Sequence, residues 1–206
     1  MTDNLRLLVV DDNEGCRDLY ALWLEGNHDV RTAENGIAAL EAVHDDIDLV
    51  LIDRNMPGPN GIDVAEKMRD DGYGGGLIMV SSEPLDFDLL SSPFDNYVQK
   101  PAKRSDFERA IERFCTRTRL KDKLTEHYAA TATLATLEAQ HSASDADECR
   151  EVARARRRVE QTRAAVERLL EESALDWQTV FTVLEATETP EAAYPAAENP
   201  PILLNS

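Results

Sequence analysis

The stretch Leu49-Val50-Leu51-Ile52-Asp53-Arg54-Asn55-Met56-Pro57-Gly58-Pro59-Asn60-Gly61 decides the fold. Four apolar residues run straight into a carboxylate, and a Met-Pro turn and a glycine follow. A strand buried on both faces of a parallel sheet reads as an unbroken apolar run, not as an alternating one. An Asp at the carboxyl end of such a strand sits where open α/β sheets place their ligands. Asp53 is therefore the leading candidate for a reactive group.

The same pattern recurs on both sides. Leu5 to Val10 (LRLLVV), apolar but for Arg6, predicts a buried strand ending at Asp11-Asp12. Cys16, Leu19, Tyr20, Trp23 and Leu24 then recur at helical spacing, and Gly26-Asn27 stops that helix. His28 to Ala33 predicts a second strand. Ile37, Leu40 and Val43 predict a helix after the Asn35-Gly36 turn. Beyond Gly61 comes a helix through Ile62, Ala65 and Met68, then a glycine-rich loop over 72–76. Leu77 to Val80 predicts a fourth strand ending at Ser81-Ser82. Pro84 suits the first turn of a short helix with Leu85, Phe87, Leu89 and Leu90. Phe94 to Gln99 predicts a fifth strand ending at Lys100-Pro101, and a helix starts near Ser105 with Phe107, Ile111 and Phe114 on one face.

Strands alternating with helices predict a doubly wound, five-stranded parallel sheet. Right-handed crossovers favour the flavodoxin-like order 2-1-3-4-5, with its switch point between strands 1 and 3. Asp11, Asp12 and Asp53 then share one crevice. Three converging carboxylates repel each other, and a divalent cation with hard oxygen ligands, Mg²⁺, sustains such a set. With the cation present, Asp53 can act as a nucleophile on phosphorus. Lys100 supplies a second positive charge, and Ser81 a hydroxyl for the phosphoryl group.

Asp11-Asp12 after strand 1, VLIDRNMPGPNG around Asp53, LIMVSS ending strand 4 and NYVQKP ending strand 5 together resemble the receiver domain of two-component response regulators. The resemblance covers residues 1 to about 117. It implies that a sensor histidine kinase phosphorylates Asp53, and that Asp12, Asp53 and the Asn55 main-chain carbonyl hold Mg²⁺, with Asp11 acting largely through water. It implies a cis peptide at Lys100-Pro101. It matches Ser81 and Tyr97 to the switch pair, in which the hydroxyl moves to the phosphate and the ring turns inward. Asn55 and Glu83, each two residues past a site residue, would flank an attacking water and make the phosphoryl group labile. Such a protein promotes its own phosphorylation and dephosphorylation and is not otherwise an enzyme. The segment between Ser81 and Lys100 is short, which counts against dimerisation through the face built from the fourth helix, fifth strand and fifth helix.

The texture changes after Pro101, with no Gly or Pro from Ala102 to Thr189. Ser144 or Asp145 offers an N-cap after a break near His141, with Glu148 placed to complete a capping box. Val152, Val159 and Val166 stand seven apart with Ala155, Thr162 and Leu169 between them, a sparse heptad seam. Leu120, Leu124, Tyr128, Leu134 and Leu137 mark the preceding helix. The two would pair as a hairpin or across a homodimer. A third short helix is expected over Leu175, Trp177, Val180, Phe181 and Leu184. Residues 118–185 resemble the haloarchaeal helical module called HalX, and residues 186–206 read as a disordered tail.

Formal net charge is -18, with 17 Arg and 5 Lys among the basic residues. That argues against a nucleic-acid surface spread over the molecule, and it suits a hydrated surface in high salt. Seven Arg between residues 143 and 170 are offset by six acidic residues, so a solvated, glutamate-paired face is expected there and nucleic acid is not the favoured partner. Cys16, Cys115 and Cys149 have no metal or redox spacing. The four histidines, His28, His44, His127 and His141, have no metal spacing and read as surface or packing residues. No signal peptide or membrane span is expected, which predicts a cytoplasmic protein. Two other functions compete: a receiver-shaped interaction protein that is not phosphorylated, and a hydrolase using Asp11 as nucleophile with Asn13.

Overall fold

The computed structural model describes residues 4–84, 92–140 and 150–173. The chain divides into two compact units, residues 1–115 and 116–206. The expected helix over Leu85 to Leu90, the break at 141–149 with its N-cap, the third helix from Leu175 and the tail lie outside the described residues.

In the first unit, β1 (Arg6–Val10), β2 (Asp29–Ala33), β3 (Leu49–Asp53), β4 (Gly76–Ser81) and β5 (Asn96–Gln99) form one parallel sheet in the order β2-β1-β3-β4-β5. Every residue of β3 and β4 is buried. Side chains alternate across the pleat. Leu8, Val10, Val50, Ile52 and Met79 pack on one face beneath α2 (Gly36–Ala42) and α3 (Gly61–Asp70). Leu7, Val9, Leu49, Leu51 and Ile78 pack on the other, beneath α1 (Glu14–Leu24) and the start of α4 (Arg104–Gln140). Helices on both faces are what make the central strands uniformly apolar.

The helices after β1, β2 and β3 each start on an asparagine. The side chains of Asn13, Asn35 and Asn60 accept from Cys16 N, Ala38 N and Ile62 N, satisfying amides that have no partner inside the helix. These caps fix where the strand ends turn back, and hence where the site residues stand. Gly61 sits against the end of β3: a Cβ there would collide with the Asp53 carbonyl oxygen and meet Arg54 Cα at 3.0 Å.

The expected strands are recovered with shifted ends: β4 begins at Gly76, the last residue of the expected glycine-rich loop. β2 begins at Asp29, one residue past His28, and β5 begins at Asn96, two past Phe94. The peptide between Lys100 and Pro101 is cis, as the receiver resemblance implies. α4 is a single helix of 37 residues, beginning in the first unit and continuing into the second.

In the second unit, the C-terminal part of α4 pairs antiparallel with α5 (Arg150–Ser173). Leu120 and Leu124 are buried against Val166 and Leu170, with Tyr128 alongside. His127 Nδ1 lies 3.0 Å from Thr162 Oγ1, and both residues are buried. The Thr162 hydroxyl donates to the carbonyls of Arg158 and Val159, which leaves its oxygen to accept from the imidazole. Arg156 Nη2 reaches Glu138 Oε1 at 2.9 Å. Cys16 and Cys115 are not joined in a disulfide among the described residues.

Two tests follow from these contacts. Gly61→Ala should lower stability in urea unfolding by about 2 kcal/mol, because backbone must move to admit the methyl group. Gly74→Ala, with nothing within 4 Å of its Cβ, should change it by less than about 0.5 kcal/mol. In the hairpin, burial pulls the His127 imidazole below its ordinary value, and Arg163 adds to the effect. The neutral form is thus the stable one when folded. The histidine's contribution is full above the unfolded pKa of about 6.5 and is lost as pH falls through the lower folded value. The protection factors of α5 amides, measured against the intrinsic exchange rate at each pH, should therefore fall on acidification below that point, and His127→Gln should flatten the dependence.

Candidate functional site

The carboxyl ends of the strands carry the site. Asp11 directly follows β1 and is 1% exposed, and Asp53 closes β3 at 7%. Asp12 is exposed to solvent. One oxygen from each of the three carboxylates lies within 4.8 Å of the others. Lys100, directly after β5, reaches them from across the edge: Nζ stands 2.7 Å from Asp11 Oδ2 and 3.0 Å from Asp53 Oδ1. Register explains the convergence, because Asp53 pairs with Val80 and Val80 with Val98, so Ser81 and Lys100 rise just beyond Asp53.

Burial pushes the Asp53 carboxyl above its ordinary range; the Lys100 hydrogen bond and charge oppose the rise, and Asp11 and Asp12 add to it. For Lys100 burial works against the ammonium, but hydrogen bonds and attraction from Asp11 and Asp53 together outweigh it and raise the pKa. Three carboxylates against one ammonium leave two negative charges uncompensated. The donors are all hard oxygens and the charge deficit is that of one divalent cation, so the residues fit Mg²⁺ chemically.

A second group of residues adjoins the first. Ser81 closes β4 and is fully buried, and its Oγ accepts from Glu83 N at 3.1 Å. The Tyr97 hydroxyl donates to the Glu83 carbonyl and lies 3.4 Å from the Ser81 carbonyl. Asn55 Nδ2 donates to Glu83 Oε1 at 3.2 Å, and Arg54 Nη1 is 3.4 Å from Glu83 Oε2. The eight sequence-predicted residues thus form two groups: Asp11, Asp12, Asp53 and Lys100 around the carboxylates, and Asn55, Ser81, Glu83 and Tyr97 around Glu83.

Two contributors escape the sequence reading. Arg54 holds the Glu83 carboxylate; its place directly after Asp53 was the available signal. Arg17 Nη1 donates to the Asp11 carbonyl at 2.9 Å and fixes the end of β1; one helical turn past Asn13, it looks in the sequence like any surface arginine. Asn13 caps α1 and its backbone N–H donates to Asp11 Oδ1 at 2.9 Å, so its local contacts are those of a helix start.

The sequence profile described as "Response regulator receiver domain" matches residues 7–112, and the chain belongs to that family. A second profile, "HalX domain", matches residues 116–185. A Haloferax volcanii protein named as a transcriptional regulator is 35% identical over 146 residues, 70% of this chain and 24% of that protein. The DNA-binding response regulator MtrA of Mycolicibacterium paratuberculosis is 37% identical over 103 residues, 48% of this chain and 45% of its own length. The chain thus spans about a quarter to a half of these relatives. Among solved structures, a receiver domain protein from Clostridium thermocellum has a TM-score of 0.52 at 24% identity, covering 56% of this chain and 98% of that one. A signal receiver domain from Vibrio parahaemolyticus gives 0.53 at 18% identity, covering 58% and 95%. These two bear on the fold alone. Among the described residues no helix is long and apolar enough to cross a membrane.

Lys100→Met removes the ammonium that faces Asp11 and Asp53 while keeping most of the stem. In metal-free buffer it should cost roughly 3 kcal/mol in urea unfolding, the penalty of stranding buried carboxylates.

Proposed function

We propose that this chain is the response regulator of a two-component phosphorelay, taking a phosphoryl group on Asp53 from a sensor histidine kinase. The observation that carries the reading is the position of Asp53. It ends a fully buried strand, clusters with Asp11 and Asp12, and lies 3.0 Å from the Lys100 ammonium. Asp11, Asp12, Asp53 and the Asn55 main-chain carbonyl would hold Mg²⁺, Asp11 largely through water. When bound, the cation neutralises charge on the phosphoryl oxygens.

In the transfer, an Asp53 carboxylate oxygen bonds to phosphorus as the phosphorus–nitrogen bond of the donor histidine breaks. The imidazole leaves with the electron pair. Lys100 then exchanges carboxylate oxygens for phosphoryl oxygens. Ser81 accepts from Glu83 N through its oxygen, so its hydroxyl proton is left to donate to the new group. Tyr97, already hydrogen-bonded to the Glu83 carbonyl, follows the same segment. Asn55 and Glu83 place polar groups beside Asp53 and Ser81 and make the acyl phosphate labile.

We assign residues 1–117 to the receiver, 118–185 to a helical output module and 186–206 to a tail. The output acts in transcriptional or protein–protein signalling, with homodimerisation through the helical module as one means of transmission, in the cytoplasm. Relatives named as DNA-binding or transcriptional regulators support the first of these. Against direct DNA contact by α5, Arg156, Arg158 and Arg163 pair with Glu138, Glu126 and Glu167, and the chain as a whole is strongly acidic.

Incubation with a small phosphodonor and Mg²⁺ should add one phosphoryl group by intact mass. The adduct should vanish in Asp53→Asn and on chelation of the metal. No adduct in the wild type would point instead to a receiver-shaped interaction protein. Catalytic phosphate release lost in Asp11→Asn would point to a hydrolase. Asn55→Ala and Glu83→Ala should each prolong the adduct, and a wild-type lifetime of many hours would contradict the assignment of those two residues.

A further inference from the structure

Lys100 has a neighbour that is not a carboxylate. Its Nζ lies 6.0 Å from the centre of the Tyr20 ring on α1. Tyr20 is 5% exposed, and its ring is fixed from two sides. Phe107, fully buried near the start of α4, stands 4.7 Å away centre to centre, and Trp23 stands 5.6 Å away. An aromatic face attracts a cation held over it, Tyr among the effective rings. Burial pushes the Tyr20 hydroxyl up to about 12, with Lys100 drawing it the other way. The side chain therefore stays neutral and adds no charge to a site already rich in carboxylates.

We propose that Tyr20 is a positioning residue for Lys100, its ring holding the ammonium at the edge of the site while the lysine changes hydrogen-bond partners. The proposal rests on phosphoryl transfer to Asp53. Before transfer, Lys100 donates to Asp11 and bridges to Asp53. Transfer turns an Asp53 oxygen into the bridging atom of the acyl phosphate, and Lys100 must release it for a phosphoryl oxygen. A lysine on a flexible four-carbon stem loses its aim when its partners change. The ring contact uses the ammonium's charge and none of its three N–H donors. It can therefore persist on both sides of the exchange. The ring is itself clamped by Phe107, so the lysine's position is also tied to the first turns of α4. That link is separate from the Ser81–Tyr97 pair.

The test uses the full chain and two readouts. The first is the proton shift of the Lys100 ε-methylene, without Mg²⁺ or phosphodonor. A nearby ring moves it upfield in the wild type and in Tyr20→Phe, and the displacement should be lost in Tyr20→Leu. The second is the rate of phosphorylation by acetyl phosphate at saturating Mg²⁺, where acetate leaves with the electron pair as Asp53 bonds to phosphorus. Tyr20→Leu should slow this by roughly fivefold, within the range expected for a partly desolvated cation–ring contact, and Tyr20→Phe should restore it. Tyr20→Met, unbranched and ringless, replaces the leucine variant if that one fails to fold. A lysine shift unchanged in the ringless variant, or a phenylalanine variant as slow as the ringless one, overturns the proposal. No adduct in the wild type overturns the phosphorelay reading and this role with it, while a retained upfield shift would still mark the contact itself.

Discussion

The bridge from Lys100 to Asp11 and Asp53 is the interaction on which the site depends. Apolar strands that must be buried deliver their polar ends to a common edge, and in this sheet the edge collects carboxylates. Left alone, those groups would repel each other in a poorly solvated place. The lysine comes from the far strand and closes the gap at 2.7 and 3.0 Å. It neutralises only part of the charge. Burial, with Asp11 and Asp12 adding to it, pushes Asp53 upward, and the remaining charge suits a divalent cation chemically. The same imbalance that costs folding energy thus defines the chemistry, a pattern common where function and stability compete.

Glu83 ties the rest of the site together. Its carboxylate is held by Asn55 and Arg54 from the loop after β3. Its amide donates to Ser81 and its carbonyl accepts from Tyr97. One residue thus joins the ends of three strands through both backbone and side chain. A displacement of the Ser81–Glu83 segment changes the surroundings of Tyr97 on one side and of Asn55 on the other. The geometry makes these positions neighbours in one hydrogen-bond network; coupling between them is a matter for double-mutant cycles, in which networked groups depart from additivity.

The fold was legible because its signals are local and redundant. Unbroken apolar runs at Leu49 to Ile52 and Leu77 to Val80, helical spacing between them, and a charged or hydroxyl residue at the end of each central strand all pointed to the same sheet. Position at a strand end was enough to nominate Asp11, Asp12, Asp53, Ser81 and Lys100. What escaped depends on side chains meeting from distant elements. The place of Arg54 directly after Asp53 hints at a role but does not name Glu83 as its partner, and a tyrosine at a core position of α1 looks like packing whether or not a lysine lies over its ring. Strand ends at His28 and Phe94 shifted because apolar and aromatic residues flank a strand as readily as they begin it. The continuity of α4 was permitted by a sequence free of Gly and Pro, but permission is not prediction.

The hairpin of α4 and α5 shows how little apolar surface can still define a register. Among the described residues, Leu120 and Leu124 are buried in its apolar cluster with Tyr128, Val166 and Leu170 half-covered, and Ala130 and Val152 add buried apolar surface further along. Small residues such as Ala155 hold much of the seam, and small residues tolerate sliding. His127 and Thr162 do not. Both are buried, and Thr162 offers one acceptor to one imidazole donor. A slip of one turn would leave both buried groups without their partner, at a cost larger than the gain from any single alanine contact. Arg156 on Glu138 marks the same alignment at the other end, although an exposed ion pair contributes little by itself. Pairing is therefore specified by a polar contact while the apolar seam supplies only general adhesion. Such a pair of helices is held to one alignment by the buried contact between His127 and Thr162.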